Sequence, residues 1–308
     1  MKPPAFRYHA PTDLAEALDT LDGIGHDGKV LAGGQSLIPM LNMRLAAPAH
    51  LVDINGLGEL SYIRADPDGV AIGALARHAE VEAHQAAHAV VPLLRQGLRL
   101  VAHPVIRNRG TTVGSLAHAD PSGEMTAVLA LLGGSMTLAR KGSTRTVAAE
   151  DFFLGPLEAC IEAGELAVAA HFPRLPGRTG TEFTEIARRH GDYAMCGVAA
   201  AVTVDDDLRI VSARAAYLSL SPVPLVLDLT DALIGRTADT AVWTDAAKLA
   251  ADDWEPEGDI HATAEYRTQL AGVLTARALR TATERAALVD PDPTAPNSTS
   301  GTTERSAR

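Results

Sequence analysis

The run Lys29-Val30-Leu31-Ala32-Gly33-Gly34-Gln35-Ser36-Leu37-Ile38-Pro39-Met40 constrains this chain more than any other. A short aliphatic stretch ends in two glycines and a serine then opens an apolar segment, so the sequence predicts strand, tight turn and helix in close succession. Gly33 and Gly34 can take positive φ and bring backbone N–H groups close to an anion, and the free N–H groups of a following helix add partial positive charge. Ser36 fits as an N-cap, and its hydroxyl can equally donate to a phosphate oxygen. Pro39 falls in the first helical turn, where its missing N–H breaks no intrahelical bond. The same residues also read as plain turn chemistry, because neither G-x-G-x-x-G nor G-x-x-x-x-G-K-[ST] falls in this run.

Composition narrows the class. The 308 residues are 46% hydrophobic and 21% charged, as in a soluble globular protein with room for two or three domains. No run of about 18 apolar residues is present and the start, Met1 to Phe6, lacks a signal-peptide core, so a cytoplasmic location is the default. A net charge of -11 argues against broad nucleic-acid binding. Cys160 and Cys196 are the only cysteines, whereas an iron–sulfur cluster normally takes four thiolates. They read as small buried hydrophobes in a reducing compartment.

Taken in order, Thr12 caps a helix with Leu14, Ala17, Leu18 and Leu21 on one face, stopped near Gly23. The glycine turn and a strand over 50–55 complete a small α/β unit with short parallel strands. A strand at Gly69–Leu75 precedes two helical segments, around Ala79–Ala89 and Val91–Val101. A second glycine-bearing turn runs from Ile106 to Pro121, with an apolar helix at Met125–Leu132 behind it. Strands at 135–140, 144–148 and 166–172 follow, then a Pro-, Gly- and charge-rich break over 173–178. Beyond it lie an antiparallel meander (181–188, 198–204, 208–220) and helices over 241–251 and 264–287. From Asp290 the chain is Pro, Thr, Ser and Gly, which predicts a disordered tail.

Two separate turns of Gly, Ser and Thr suggest one ligand with extended phosphate and sugar groups, gripped from both sides. Asp120 suits sugar or ribityl hydroxyls as an acceptor, and equally suits a helix start, as N-cap with Pro121 at N1. Arg107 and Arg109 are phosphate partners or simply solvated. His103, His118 and His190 lack metal-ligand spacing, and no nucleophile elbow exists. No metal ligand and no catalytic acid–base pair is therefore assigned. Tyr193, in a polar loop between strands, is a surface residue or a stacking partner for a planar ring.

At these residues a resemblance becomes specific. Ala32-Gly33-Gly34-Gln35-Ser36-Leu37 with Pro39-Met40, Ile106-Arg107-Asn108-Arg109-Gly110-Thr111 and Gly114-Ser115-Leu116-Ala117-His118-Ala119-Asp120-Pro121 resemble the FAD-binding medium subunit of the molybdenum hydroxylases, in pattern that of carbon monoxide dehydrogenase. The likeness runs from about Phe6 to about Ala287. It implies an α+β fold: a two-lobed FAD-binding domain of the p-cresol methylhydroxylase type over 1–175, with lobes of about 1–57 and 58–175, a C-terminal antiparallel sheet with helices over 178–288, and a tail over 289–308. It implies that Ala32, Gly33, Gly34, Gln35 and Ser36 of the first turn and Thr111, Thr112, Val113, Gly114 and Ser115 of the second bind the FAD pyrophosphate and neighbouring groups. By the same likeness Asp120 contacts the ribityl chain, Tyr193 lies beside the flavin ring and Lys29 is near the dinucleotide. The family usually reads Thr-x-Gly-Gly-Ser at the second turn, so Val113 stands where a glycine is common.

The resemblance further implies a hetero-oligomer, with two [2Fe–2S] clusters on a small subunit and the molybdenum cofactor on a large one. FAD on this chain would then collect electrons for an external acceptor. It implies a cytoplasmic location, with contact to the inner face of the membrane through the complex. Two other readings stand beside it: a self-sufficient FAD oxidoreductase of the same fold, and a non-catalytic nucleotide-binding or assembly protein.

Overall fold

Apolar alternation and glycine punctuation sort the strands into three main sheets. The structure is a computed structural model and describes residues 2–238, 240–252 and 256–289. The tail expected over 289–308 lies, from Asp290 onward, outside the described residues.

Strands β1 (Arg7–His9), β2 (Gly28–Leu31) and β3 (His50–Asp53) form a parallel sheet in the order β1-β3-β2. Parallel neighbours need crossovers, and helices α1 (Leu14–Ile24) and α2 (Leu37–Met43) supply them. The α1 face buries Ala17, Leu18 and Leu21 as its periodicity predicts. Its N-cap is Asp13 rather than Thr12: the Asp13 carboxylate accepts the Glu16 N–H at 2.8 Å, while Thr12 donates its N–H and hydroxyl to the Glu16 side chain. Asp13 holds the extended backbone of an N-cap, from which its carboxylate reaches the free N–H three residues on. The helix runs past Gly23 and stops at Gly25, whose φ of 55° only glycine adopts at little cost.

The chain continues through β4 (Ile63–Asp66) and β5 (Gly69–Gly73) into helices α3 (His78–Ala83), α4 (Gln85–Val90), α5 (Pro92–Leu98) and α6 (Pro104–Arg107). The two helical segments expected here are three. The extended His84 ends α3 and caps α4, its ring nitrogen accepting the Ala87 N–H, and Pro92 opens α5. Next come α7 (Thr112–His118), α8 (Glu124–Leu132), β6 (Ser135–Arg140), β7 (Ser143–Ala148), α9 (Ala149–Phe152), the short pair β8 (Phe153–Gly155) and β9 (Glu158–Ala159), and β10 (Leu166–Pro173). Strands β4-β5-β10-β6-β7 make an antiparallel sheet.

After residues 174–177, strands β11 (Arg178–Ala187), β12 (Ala194–Val204), β13 (Ile210–Leu218) and β14 (Leu225–Asp228) form the expected antiparallel meander, followed by α10 (Thr230–Leu233), α11 (Thr240–Asp252) and α12 (Ala264–Ala287). Strand β12 is buried along nearly its whole length and rich in alanine, because both faces are covered. On one face α12 packs so closely that a Cβ on Gly180 would overlap the Ala282 carbonyl. On the other, Phe183, Ala199, Ala216 and Leu218 join the core that continues through α5 and α8 into the first two sheets. Cys196 lies in the α12-side core, its thiol pushed up to about 12 by burial, whereas Cys160 is partly exposed; both are free. Among the described residues no helix is long and apolar enough to cross a membrane.

Candidate functional site

The first glycine turn meets the second. Leu31 to Gln35, Asp53 and Asn55 at the end of β3, and Arg109 line one cleft of about 400 Å³. Gly33 faces the loop before α7 so tightly that an added Cβ would stand 2.5 Å from the Arg109 carbonyl oxygen and 2.8 Å from the Gly110 α-carbon. Gly34 takes a φ of 72°, the left-handed conformation the turn requires. The Gln35 side-chain amide donates to the Gly33 carbonyl at 3.1 Å. Ser36 precedes α2 with helical dihedrals and makes no capping bond, which corrects the expected N-cap. Lys29 is exposed on β2, two residues before Leu31, and neither it nor Ser36 lines the cleft.

The run expected as a second turn, Thr111 to Ser115, is instead the start of α7. Thr111 is its N-cap, accepting the Gly114 N–H at 3.2 Å. Thr112 and Val113 point into the core, so the Val113 side chain does not intrude on the turn's surface. Gly114 and Ser115 remain partly exposed, and the cleft takes its wall from Arg109 rather than from Thr111 to Ser115. Behind it the Thr112 hydroxyl meets Nδ1 of the buried His78 at 3.2 Å; burial, then the Arg107 charge, pushes this imidazole down to about 4.

The two arginines separate. Arg107 is buried, its Nε 2.9 Å from the Glu82 carboxylate and its Nη1 donating to the Val101 and Ala102 carbonyls, so it holds the loop before α6. Arg109 is exposed and faces the cleft. Burial works to raise the Asp53 carboxyl, but hydrogen bonds from Tyr8 and Asn55 and the Arg109 charge outweigh it and hold the group below the ordinary carboxylate range.

At the far end of α7, Ala119 turns left-handed and Asp120 follows. Asp120 is not a helix cap. Its carboxylate accepts the Ser122 N–H at 2.8 Å in a local turn, and Gly123 takes the N-cap position of α8. Tyr193, 72% exposed before β12, comes to Asp120 from the other half of the chain. Its hydroxyl is raised by withdrawal from water first, then by the nearby charges of Asp120 and Glu124. Ser219 fixes this meeting: its N–H donates to the Pro121 carbonyl at 2.9 Å, and its hydroxyl donates to the Ala194 carbonyl at 2.7 Å and lies 2.8 Å from Ser122 Oγ, from which it can accept. Behind them burial, then the Asp120 charge, raises the Glu124 carboxyl to about 7, and burial with the charge of Glu124 raises Glu185 to about 8.

Helix α7 spans seven residues, ~10 Å, from the Thr111 end beside the first turn to the Asp120 end beside Tyr193. A ligand anionic at one end and planar at the other fits such a path. Among the described residues no three His, Cys, Asp or Glu side chains are grouped to hold a metal.

Residues 4–175 match the family described as FAD binding domain in molybdopterin dehydrogenase, and residues 181–282 match the CO dehydrogenase flavoprotein C-terminal domain. The chain belongs to this FAD-subunit family. It is 37% identical over 292 residues to caffeine dehydrogenase subunit beta of Pseudomonas sp. (strain CBB1), covering 94% of this chain and 99% of that one. It is 35% identical to the carbon monoxide dehydrogenase medium chain of Afipia carboxidovorans, over 93% of this chain and 99% of that one. Among solved structures, quinoline 2-oxidoreductase from Pseudomonas putida 86 superposes with a TM-score of 0.89 at 37% identity, covering 93% of this chain and 100% of that one. As a family member the chain is a flavoprotein subunit of an oxidoreductase complex, with the α+β fold expected of it. The residues fit FAD. The Gly33–Gly34 turn brings bare backbone to the cleft wall, because Gly33 has no room for a Cβ beside the Arg109–Gly110 peptide and Gly34 is left-handed; Arg109 is an exposed cation on the same cleft, and Tyr193 offers an exposed ring.

Asn55, Arg77 and Ser219 were not singled out from sequence. Their polar groups act across the fold, on partners that no local spacing announces.

Proposed function

We propose that FAD lies along α7, with its pyrophosphate in the Gly33–Gly34 turn opposite Arg109 and its ring system toward Asp120 and Tyr193. The observation that carries this is the contact of Gly33 with the Arg109 carbonyl, which makes one cleft out of two turns. Backbone N–H groups of Ala32 to Ser36 face the phosphates, and Gly114 and Ser115 contribute at the second turn. Asp120 accepts hydrogen bonds from the ribityl hydroxyls, the Tyr193 ring covers the flavin, and Lys29 lends charge from β2. Thr111, Thr112 and Val113 support the site from beneath, since the buried pair anchors the helix whose first turn carries it. Held there, FAD would supply redox chemistry between [2Fe–2S] clusters on a small partner and an external acceptor, while the residues above hold and orient it.

We assign the molybdenum centre to a large third subunit. Relatives of nearly equal identity carry the names of caffeine and carbon monoxide dehydrogenases, so substrate choice is best placed outside this chain. Residues 1–175 form the FAD-binding part, in lobes of about 1–57 and 58–175, and 178–288 the C-terminal part. The free cysteines support a cytoplasmic location, with the inner face of the membrane reached through the complex.

Purification of the tagged chain from its host, with flavin, iron and molybdenum assayed on each co-purifying polypeptide, tests the assignment. Flavin on this chain with iron and molybdenum on two partners is expected. A metal-free flavoprotein that oxidises an organic substrate alone would replace it with the self-sufficient enzyme, and a colourless protein with a nucleotide-binding role.

A further inference from the structure

Arg77 lies at the start of α3, outside the cleft, yet its guanidinium touches both sides of it. Nη1 donates to the Arg109 carbonyl at 2.7 Å and Nη2 donates to the Asn55 side-chain oxygen at 2.7 Å. The Asn55 amide in turn donates to the Ala32 carbonyl at 2.9 Å and to the Asp53 carboxylate at 2.6 Å. First turn, Asn55, Arg77 and second turn are therefore one continuous chain of hydrogen bonds.

The arginine itself is fixed at its backbone. Its N–H donates to the Glu80 carboxylate at 2.9 Å, it bridges Thr111 in antiparallel fashion, and the neighbouring His78 N–H donates to the Gly110 carbonyl at 2.9 Å. The carbonyl that Nη1 holds is the one Gly33 packs against. The Arg109–Gly110 peptide is thus pinned between a glycine α-carbon and a guanidinium. Among the described residues Arg77 makes no ion pair within 4.0 Å, so its charge is directed at two neutral oxygens. A planar fork with two fixed donors suits two acceptors on different segments; a lysine, with one compact ammonium, does not.

We propose that Arg77, acting through Asn55, is the positioning residue that sets the width of the anion cleft by tying the Arg109 peptide to the Ala32–Gly33 turn. This rests on the FAD reading of that cleft for its ligand, and on hydrogen bonds alone for its mechanism.

The test uses the full-length apo-chain, FAD titrated by flavin fluorescence, and thermal unfolding without FAD. Arg77→Met should weaken FAD binding roughly 10- to 100-fold, because the unclamped cleft holds its binding width only part of the time, and should lower the apo Tm by a few degrees, because both lost hydrogen bonds lie within the chain. Arg77→Lys should recover only part of this. Asn55→Leu should weaken binding as well, and the double variant should lose no more than the worse single one, because both sit on one chain of bonds. Wild-type affinity in Arg77→Met, or additive losses in the double variant, would overturn the clamp. Should the wild-type chain fail to bind FAD, the cofactor reading fails first, and amide hydrogen exchange decides the clamp. Faster exchange in Arg77→Met at the Ile38, Ile54 and His78 amides, which donate to the Gly34, Leu31 and Gly110 carbonyls, supports it, and unchanged exchange there removes it.

Discussion

Gly33 rests against the carbonyl of Arg109, with room for a hydrogen but not for a methyl group. Its neighbour Gly34 is glycine for another reason, a φ of 72° that a side chain strains. The two positions should therefore fail differently. Gly33→Ala forces backbone away from backbone, and we expect it to cost about 1–3 kcal/mol and to strip most of the flavin. Gly34→Ala meets only the Ile38 and Leu31 side chains, at 3.1 and 3.2 Å, and should cost about 1 kcal/mol with a smaller flavin loss. The flavin-to-protein absorbance ratio and urea unfolding of both variants check the order.

The Asp120 charge is one of the causes that raise the Tyr193 phenol. Asp120→Asn should move the Tyr193 phenol back toward the ordinary tyrosine value, because one of the nearby negative charges that oppose its ionisation is gone. Tyrosinate absorbance against pH, with Tyr193→Phe as the subtraction control, reads this shift.

His78 is buried as the neutral ring, with its pKa pushed from 6.5 to about 4. The unfolded chain binds this proton first as pH falls, so the neutral ring's contribution is full above about pH 6.5 and is lost on acidification toward 4. The difference is on the order of 3 kcal/mol. His78→Gln should flatten the fall in urea midpoint over that range relative to the native chain.

Glu185 behaves in the opposite sense. Its carboxyl is raised from 4.5 to about 8, and its Oε2 is buried without a hydrogen-bond partner. The folded chain keeps this proton while the unfolded one has released it, so stability erodes as pH rises from about 4.5 to 8. Glu185→Gln should be the more stable protein above pH 8, by on the order of 2 kcal/mol, and should match the native chain at pH 4. Paired thermal melts at the two pH values check it.

Much of this was legible beforehand because the informative signals were local. The parallel order at the start, the meander after residue 178 and the glycine turn follow from alternation and punctuation that a short window contains. The expected second turn is a helix start for a physical reason. Thr111-Thr112-Val113-Gly114-Ser115 has poor helix formers, and α7 exists because Thr112 and Val113 are buried and Thr111 caps it. Asp120 looked like a cap because Pro121 follows it, yet the chain needs two further residues to turn before α8. Ser36 looked like a cap for its residue type, while its dihedrals are already helical. The separate duties of Arg107 and Arg109 depend on Glu82, which no reading of the loop brings near.

Phe183, Ala199, Ala216 and Leu218 belong to the strands after residue 178 but to the core of the residues before it. The border between the two matched family segments is thus a border in the chain and not in the packing. A fragment ending near residue 175 would bare the apolar sides of α5 and α8, and one beginning near 178 would bare the matching face of its sheet. Neither half is a spare part: an exchange of C-terminal segments between relatives succeeds only if these four side chains travel with the surface they were shaped against.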